Sequence, residues 1–236
     1  MALPAHLLEL LPPGVGPGSG LEETRVAALE LGVPAIDAAL PDAGLPRGKV
    51  VELAVAGGAA LGTSLALYAC RAAQRSGDRP GLGIPWCAYL DPAGTLYAPG
   101  VAGAGVSLDR LLVVRPDLDA LPRVAIRMAE ARAFAVLVVD TTPSPAAAGE
   151  EARVSLGAWV RVVRRLALAV EGTEALVLIL TERAAPRPVP LPVALRLELR
   201  RDAATHLSIR VAKDRHGRVS APRSLAWVRA AGWGSP

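Results

Sequence analysis

The sequence predicts an α/β fold, a mostly parallel sheet with helices on both faces and antiparallel strands at its C-terminal end. Three observations carry this. Short apolar runs alternate with stretches of helical spacing between residues 49 and 181, and such alternation calls for parallel strands joined by crossover helices. A glycine-rich segment, residues 57–64, sits between one such run and the next helical stretch. From Leu195 onward the apolar period falls to two, through Leu195, Leu197 and Leu199, then Leu207, Ile209 and Val211, then Leu225 and Trp227. That is the pattern of antiparallel strands added to a sheet edge.

Each element follows in order. Residues 1–11 carry Leu7, Leu8, Leu10 and Leu11 on a short predicted helix, and a Pro/Gly/Ser stretch at 12–20 breaks it. Residues 1–20 therefore read as a helical arm and linker, and 21–236 as one core domain. A strand is expected from Arg25, then a turn at 32–34 and a short helix at 36–40. Leu45-Pro46-Arg47-Gly48 leads into a strand over 49–55, and 64–75 has helical spacing. Further strands are predicted at 87–90, 111–114, 136–140 and 176–181, with helices over 121–133 and 153–170. In the last helix Leu156, Trp159, Val163, Leu166 and Val170 form one apolar stripe, while Arg161, Arg164 and Arg165 fall off it. His216-Gly217 marks a turn between the C-terminal strands.

Composition narrows the class. An apolar fraction of 52% over 236 residues excludes a disordered chain. The apolar runs at 135–139 and 175–180 are too short to cross a bilayer. The first twelve residues lack a basic start followed by a long apolar core, so no signal peptide is expected. Two cysteines, Cys70 and Cys87, do not make a disulfide framework and fit a reducing cytoplasm, nucleoid association included. His6, His206 and His216 have no metal-ligand spacing around them. The net charge of +4 comes almost wholly from arginine, Lys49 and Lys213 being the only lysines. Mild basicity of that kind is weak evidence for nucleic acid.

The chemistry centres on Gly57-Gly58-Ala59-Ala60-Leu61-Gly62-Thr63-Ser64. It follows the phosphate-loop pattern G-x-x-x-x-G-K-[ST], in which backbone N–H groups cradle phosphate, the lysine reaches the β/γ-phosphates and the hydroxyl holds Mg²⁺. Gly57, Gly62 and Ser64 stand in register, but Thr63 takes the lysine position and carries no charge. Val136-Leu137-Val138-Val139-Asp140 is an apolar strand ending in a carboxylate, the place where such scaffolds orient Mg²⁺. ATP and Mg²⁺ are therefore not expected as working cofactors.

From about Leu31 to its end the chain resembles the core of RecA recombinases. The residues that carry the resemblance are Gly44-Leu45-Pro46-Arg47-Gly48, Leu65-Ala66-Leu67 and Ala88-Tyr89-Leu90-Asp91. They continue with Gly105-Val106-Ser107-Leu108-Asp109-Arg110-Leu111-Leu112-Val113, Arg115-Pro116-Asp117, the 136–140 strand, and Leu178-Ile179-Leu180-Thr181-Glu182-Arg183. The resemblance implies a catalytic glutamate where this chain has Ala93, and a γ-phosphate-sensing Asn-Gln where it has Thr181-Glu182. It implies DNA-binding loops where this chain has the shorter, glycine-poor stretches 143–151 and 184–192. On this resemblance no counterpart of the RecA C-terminal domain is expected. Lys213 and Arg215 match two basic residues that reach a neighbour's ATP in RecA filaments, and the N-terminal leucines Leu7, Leu8 and Leu11 match the region that links protomers.

A degenerate RecA-like chain of this kind is similar to the ImuA group of SOS mutagenesis accessory proteins, encoded beside an ImuB polymerase-like protein. What that implies is a non-catalytic adaptor in the DNA damage response, binding RecA and the ImuB-type translesion partner, with self-association through the N-terminal arm. Two alternatives stay open at this level: a divergent ATPase borrowing Lys49 or a neighbour's lysine, and a single-stranded-DNA-binding recombination mediator.

Overall fold

The computed structural model describes residues 28–56, 60–77, 83–142, 157–183, 190–203 and 206–226. The predicted arm (Leu7, Leu8, Leu11), the strand start at Arg25 and the loop residue Gly57 lie outside them, as does Trp227. Eight strands among these residues form one sheet in the order β3-β2-β4-β5-β1-β6-β7-β8. They are β1 (Lys49–Ala56), β2 (Cys87–Leu90), β3 (Leu111–Val114), β4 (Val136–Asp140), β5 (Leu176–Glu182), β6 (Leu195–Ala203), β7 (His206–Asp214) and β8 (Arg223–Ala226). Pairing is parallel from β3 through β6 and antiparallel for β6–β7 and β7–β8. The predicted sheet is the observed one.

The helices are α1 (Pro34–Asp37), α2 (Ala60–Ser76), α3 (Ala98–Gly103), α4 (Leu121–Glu130) and α5 (Trp159–Val170), with a 3₁₀ turn at Leu108–Arg110. The chain passes from β1 to β2 and β3 on one face, packing α2 and α3 against Val51, Leu53, Val55, Val136, Val138, Leu178 and Leu180. It then turns back toward β1 through α4 and α5 on the other face, where Leu121, Ala125, Trp159, Val163 and Leu166 meet Val50, Val139, Val177 and Ile179. Right-handed crossovers require this change of face when the direction of strand addition reverses. Of the stripe predicted from spacing, Trp159, Val163, Leu166 and Val170 are buried, with Arg161, Arg164 and Arg165 outside; Leu156 lies outside the described residues.

The differences from expectation have local causes. Helix α4 stops at Glu130 rather than 133, because Arg132 adopts a positive φ of 51°. Helix α1 spans Pro34–Asp37 rather than 36–40. It begins where Pro34 fixes φ at the first helical position, and Asp37 accepts hydrogen bonds from the Leu31 and Val33 N–H groups. Helix α3, with Gly100 and Gly103 inside it, has too little intrinsic propensity to be read from composition. Cys70 of α2 and Cys87 of β2 are both free and buried, and the Cys87 thiol donates to the Cys70 carbonyl at 3.7 Å. Among the described residues no helix is long and apolar enough to cross a membrane.

Gly48 sets the entry to β1. Its φ is +67°, and a Cβ there would lie 2.6 Å from the Thr173 carbonyl oxygen. Left-handed backbone costs an L-residue about 1–2 kcal/mol before any clash. Gly48→Ala is therefore expected to lose at least about 2 kcal/mol in urea unfolding. A loss under about 0.5 kcal/mol would show that the β1 entry adapts freely.

Candidate functional site

The C-terminal ends of β1, β4 and β5 meet the start of α2, which is where the sequence places its phosphate-loop residues. Gly62, Thr63 and Ser64 lie in the first turn of α2. Gly62 is there because the helix closes on the sheet: a Cβ would stand 2.7 Å from Val55 Cγ2, with Leu180 behind it. The glycine allows close approach of helix to strand, whatever the loop holds.

Asp140, at the end of β4, is almost fully buried. The Tyr89 hydroxyl donates to its Oδ2 at 3.0 Å, and the Thr142 N–H donates to Oδ1 at 2.9 Å, joined there by the Thr142 hydroxyl. A carboxylate has about four acceptor positions, and protein donors take three of them. Thr63, in the lysine position, lies close enough to Tyr89 to act against the rise of its phenol pKa. The hydrogen bonds at the Walker-B-like carboxylate run Tyr89–Asp140–Thr142, with Thr63 of α2 beside the tyrosine.

The electrostatics are those of an enclosed acid. Burial raises the Asp140 pKa, against the Thr142 and Tyr89 hydrogen bonds that lower it, and nearby Asp91 raises it further. Burial also pushes the Tyr89 phenol well up, with Asp140 adding to it. A raised carboxyl pKa means that the folded state holds a proton more tightly than the unfolded chain. The contribution to stability is therefore lost as pH rises from the ordinary carboxylate value through the raised one.

Other groups around this edge are also acidic or engaged. Asp91, buried at the end of β2, accepts from Thr95 N and Leu96 N at 3.0 Å each and faces Arg115 at 3.6 Å, so it organises the turn that follows. That turn contains Ala93, with no carboxylate. Thr181 points to the opposite sheet face and donates to buried Glu52 of β1 at 2.8 Å. Strand alternation puts Glu182 on the Leu180 side, the face that α2 covers. Lys49 starts β1 at its other end, about 23 Å from Ala56 at strand rise, so it cannot substitute for the missing lysine within one chain.

Set against MgATP, the described residues fit poorly. The carboxylate that would orient Mg²⁺ is held by internal donors, Glu182 lies on the side where phosphate would sit, and no lysine is within reach. Among the described residues no group of three or more His, Cys, Asp or Glu could hold a metal ion.

Lys213 and Arg215 stand apart from this site, at the end of β7. A bulge at Ala212 pairs Lys213 with Arg196 while Val211 pairs with Leu197, and this puts half-buried Lys213 on the sheet face opposite Val211. Its Nζ donates to the Leu191 carbonyl at 3.0 Å. Arg215 is exposed and its Nε donates to His216 Nε2 at 2.9 Å. Their loop is fastened by Arg218, bidentate to Asp42 at 2.7 and 2.9 Å and bonded to Asp214 at 2.8 Å. The two residues read as a pair thus have different settings.

Sequence reading missed Tyr89, Thr142 and Glu52. A signal existed for two of them: a tyrosine inside a buried strand needs a hydroxyl partner, and a glutamate inside an apolar strand needs a donor.

Comparison with known proteins places this geometry. The chain is similar to the RecA protein of Acidiphilium cryptum, 30% identical over 175 residues, 70% of this chain and 48% of that one. It is 33% identical to RecA of Cutibacterium acnes over 148 residues, 60% of this chain and 40% of the relative. RecA of Blastochloris viridis is 36% identical over 126 residues, 52% and 33%. The chain spans about a third to a half of the length of these curated relatives. No family model matches it. The similarity supports a RecA-like α/β core.

Two substitutions test the buried network. Tyr89→Phe, which strips a donor from Asp140, is expected to cost about 1–3 kcal/mol. Asp140→Asn keeps the shape, removes the charge, and should leave neutral-pH stability equal or higher. It should also flatten the fall in stability as pH rises above the ordinary carboxylate value. Thermal unfolding across pH checks both; a large loss in Asp140→Asn at neutral pH would mean that the charged carboxylate is needed.

Proposed function

We propose that this chain is a RecA-like protein of DNA repair and recombination that works without hydrolysing ATP. It would be an ImuA-type adaptor that binds RecA and an ImuB-type polymerase-like partner during damage-induced mutagenesis. The observation that carries this reading is the engagement of buried Asp140 by Tyr89 and Thr142. An uncharged Thr63 stands where a phosphate loop has its lysine, and Ala93 supplies no base to direct water. The RecA relatives support a role beside recombination, and the resemblance stated above supplies the SOS setting.

A protein that keeps the RecA-like sheet and lacks the nucleotide machinery keeps a surface that a RecA protomer can meet. Arg215 is the exposed basic residue at the position that reaches a neighbour's nucleotide in the resemblance, whereas Lys213 is held by Leu191. Arg215 therefore carries the proposed contact, and Lys213 supports the loop that presents it.

The test is binding of the purified chain to RecA, with and without ATP and single-stranded DNA. ATP-dependent binding that Arg215→Glu weakens at least about tenfold, about 1.4 kcal/mol, is the expected result. Absence of binding under every condition would overturn the adaptor reading. Equal affinity in Arg215→Glu would overturn the contact alone.

A further inference from the structure

The distribution of arginines is uneven. At the antiparallel end carboxylates meet most of the arginines, while Arg201 and Arg223 are exposed without an ion pair among the described residues. Glu198 faces Arg183, Arg196 and Arg210, each at 3.5 Å, Arg200 meets Asp202 at 2.8 Å, and Arg218 is bound by Asp42 and Asp214. The helical layer on the α4/α5 face is different. Arg123 and Arg127 lie on the outer stripe of α4, opposite buried Leu121, Ala125 and Ala129. Arg161, Arg164 and Arg165 lie on the outer stripe of α5, opposite buried Trp159, Val163 and Leu166. Arg165 bridges the helices through Glu130 at 2.9 Å. Among the described residues Arg123, Arg127, Arg161 and Arg164 have no ion pair, and all four are exposed.

The two helices pack side by side, so their arginines form two rows about 8–10 Å apart, with successive residues of a row about one turn, 5.4 Å, apart. Two rows of unpaired guanidinium groups suit a regular polyanion whose charges also run in rows. The rows of duplex phosphates that border a major groove about 12 Å wide are of that scale. The face offers only Leu168 as a large exposed apolar group, and Trp159 points into the core. It therefore lacks the aromatic platforms on which single-stranded bases stack. It can hold a backbone and does not read bases.

We propose that the outer face of α4 and α5 docks the phosphate backbone of duplex DNA without regard to sequence. This surface lies on a different part of the fold from Arg215 and does not depend on the RecA contact.

The test uses the full chain and a fluorescent duplex of about 30 base pairs, with the same strand alone and polyglutamate as competitors. The variant R123Q/R161Q/R164Q removes three unpaired charges; R200Q/R201Q/R223Q removes three from the antiparallel end. Wild type is expected to bind duplex with a slope of log K against log salt of about −3 to −5. The helical variant should bind at least about tenfold more weakly, with a slope shallower by about 3, and the control within about threefold of wild type. If the helical variant fails to fold, Arg161→Glu alone provides the same comparison. Four results would overturn the proposal: no duplex binding by wild type in 50 mM salt, equal weakening in both variants, tighter binding of the single strand, or tighter binding of polyglutamate than of duplex. The last would assign the face to an acidic protein.

Discussion

Asp140 is carried into the interior by a strand buried on both faces, and the surroundings have to satisfy it. An ionised carboxylate in that position is costly unless donors meet it. Two stretches supply them: β2 through Tyr89, and the residue two beyond β4 through Thr142. The start of α2 closes over the same place. Gly62 lets the helix approach Val55, and Thr63 then lies beside Tyr89. In a phosphate-binding relative of this scaffold a lysine and a metal would balance the carboxylate. Here hydroxyl and backbone donors meet it, and burial raises its pKa.

The fold was legible where local and global signals agree. Strands 87–90, 111–114 and 136–140 were read with the bounds the structure shows, because each is an apolar run closed by a polar residue, Pro or Gly. Helix ends were less legible, since the stop at Glu130 depends on the positive φ of Arg132, which no composition announces. At the site Thr63 and Asp140 were visible from spacing alone. Tyr89 was not assigned to it, because its role depends on β2 lying beside β4, an order that appears only in the folded sheet; Thr142 bonds back to Asp140 locally, through a turn that spacing does not announce. Lys213 shows the limit most sharply. A single extra residue at Ala212 moves it to the face opposite Val211, and one residue of register is enough to send a side chain to the other side of a sheet.

The two ends of the sheet handle charge in different ways, and this bears on how the protein meets others. On β6 and β7 Arg196, Arg200 and Arg210 are paired in place, with Glu198 at their centre and Glu52 buried beneath. Isolated surface pairs of this kind add little stability, but a shared carboxylate fixes several arginines at once. On α4 and α5 the apolar stripe is as well buried, and the outer stripe is left with positive charge unpaired. Folding does not require that arrangement, since a mixture of signs would serve the helices better.

The central claim is that internal hydroxyls have replaced nucleotide at the end of β4. The most direct test is the thermal unfolding of the full chain titrated with MgATP into the millimolar range. A ligand at 100 times its Kd stabilises by about 2.7 kcal/mol, which for a chain of this size is a rise of about 5–10 °C in Tm. The account predicts no shift in the wild type. A saturable rise of that size, abolished in Asp140→Ala, would contradict it and restore the site as a nucleotide pocket.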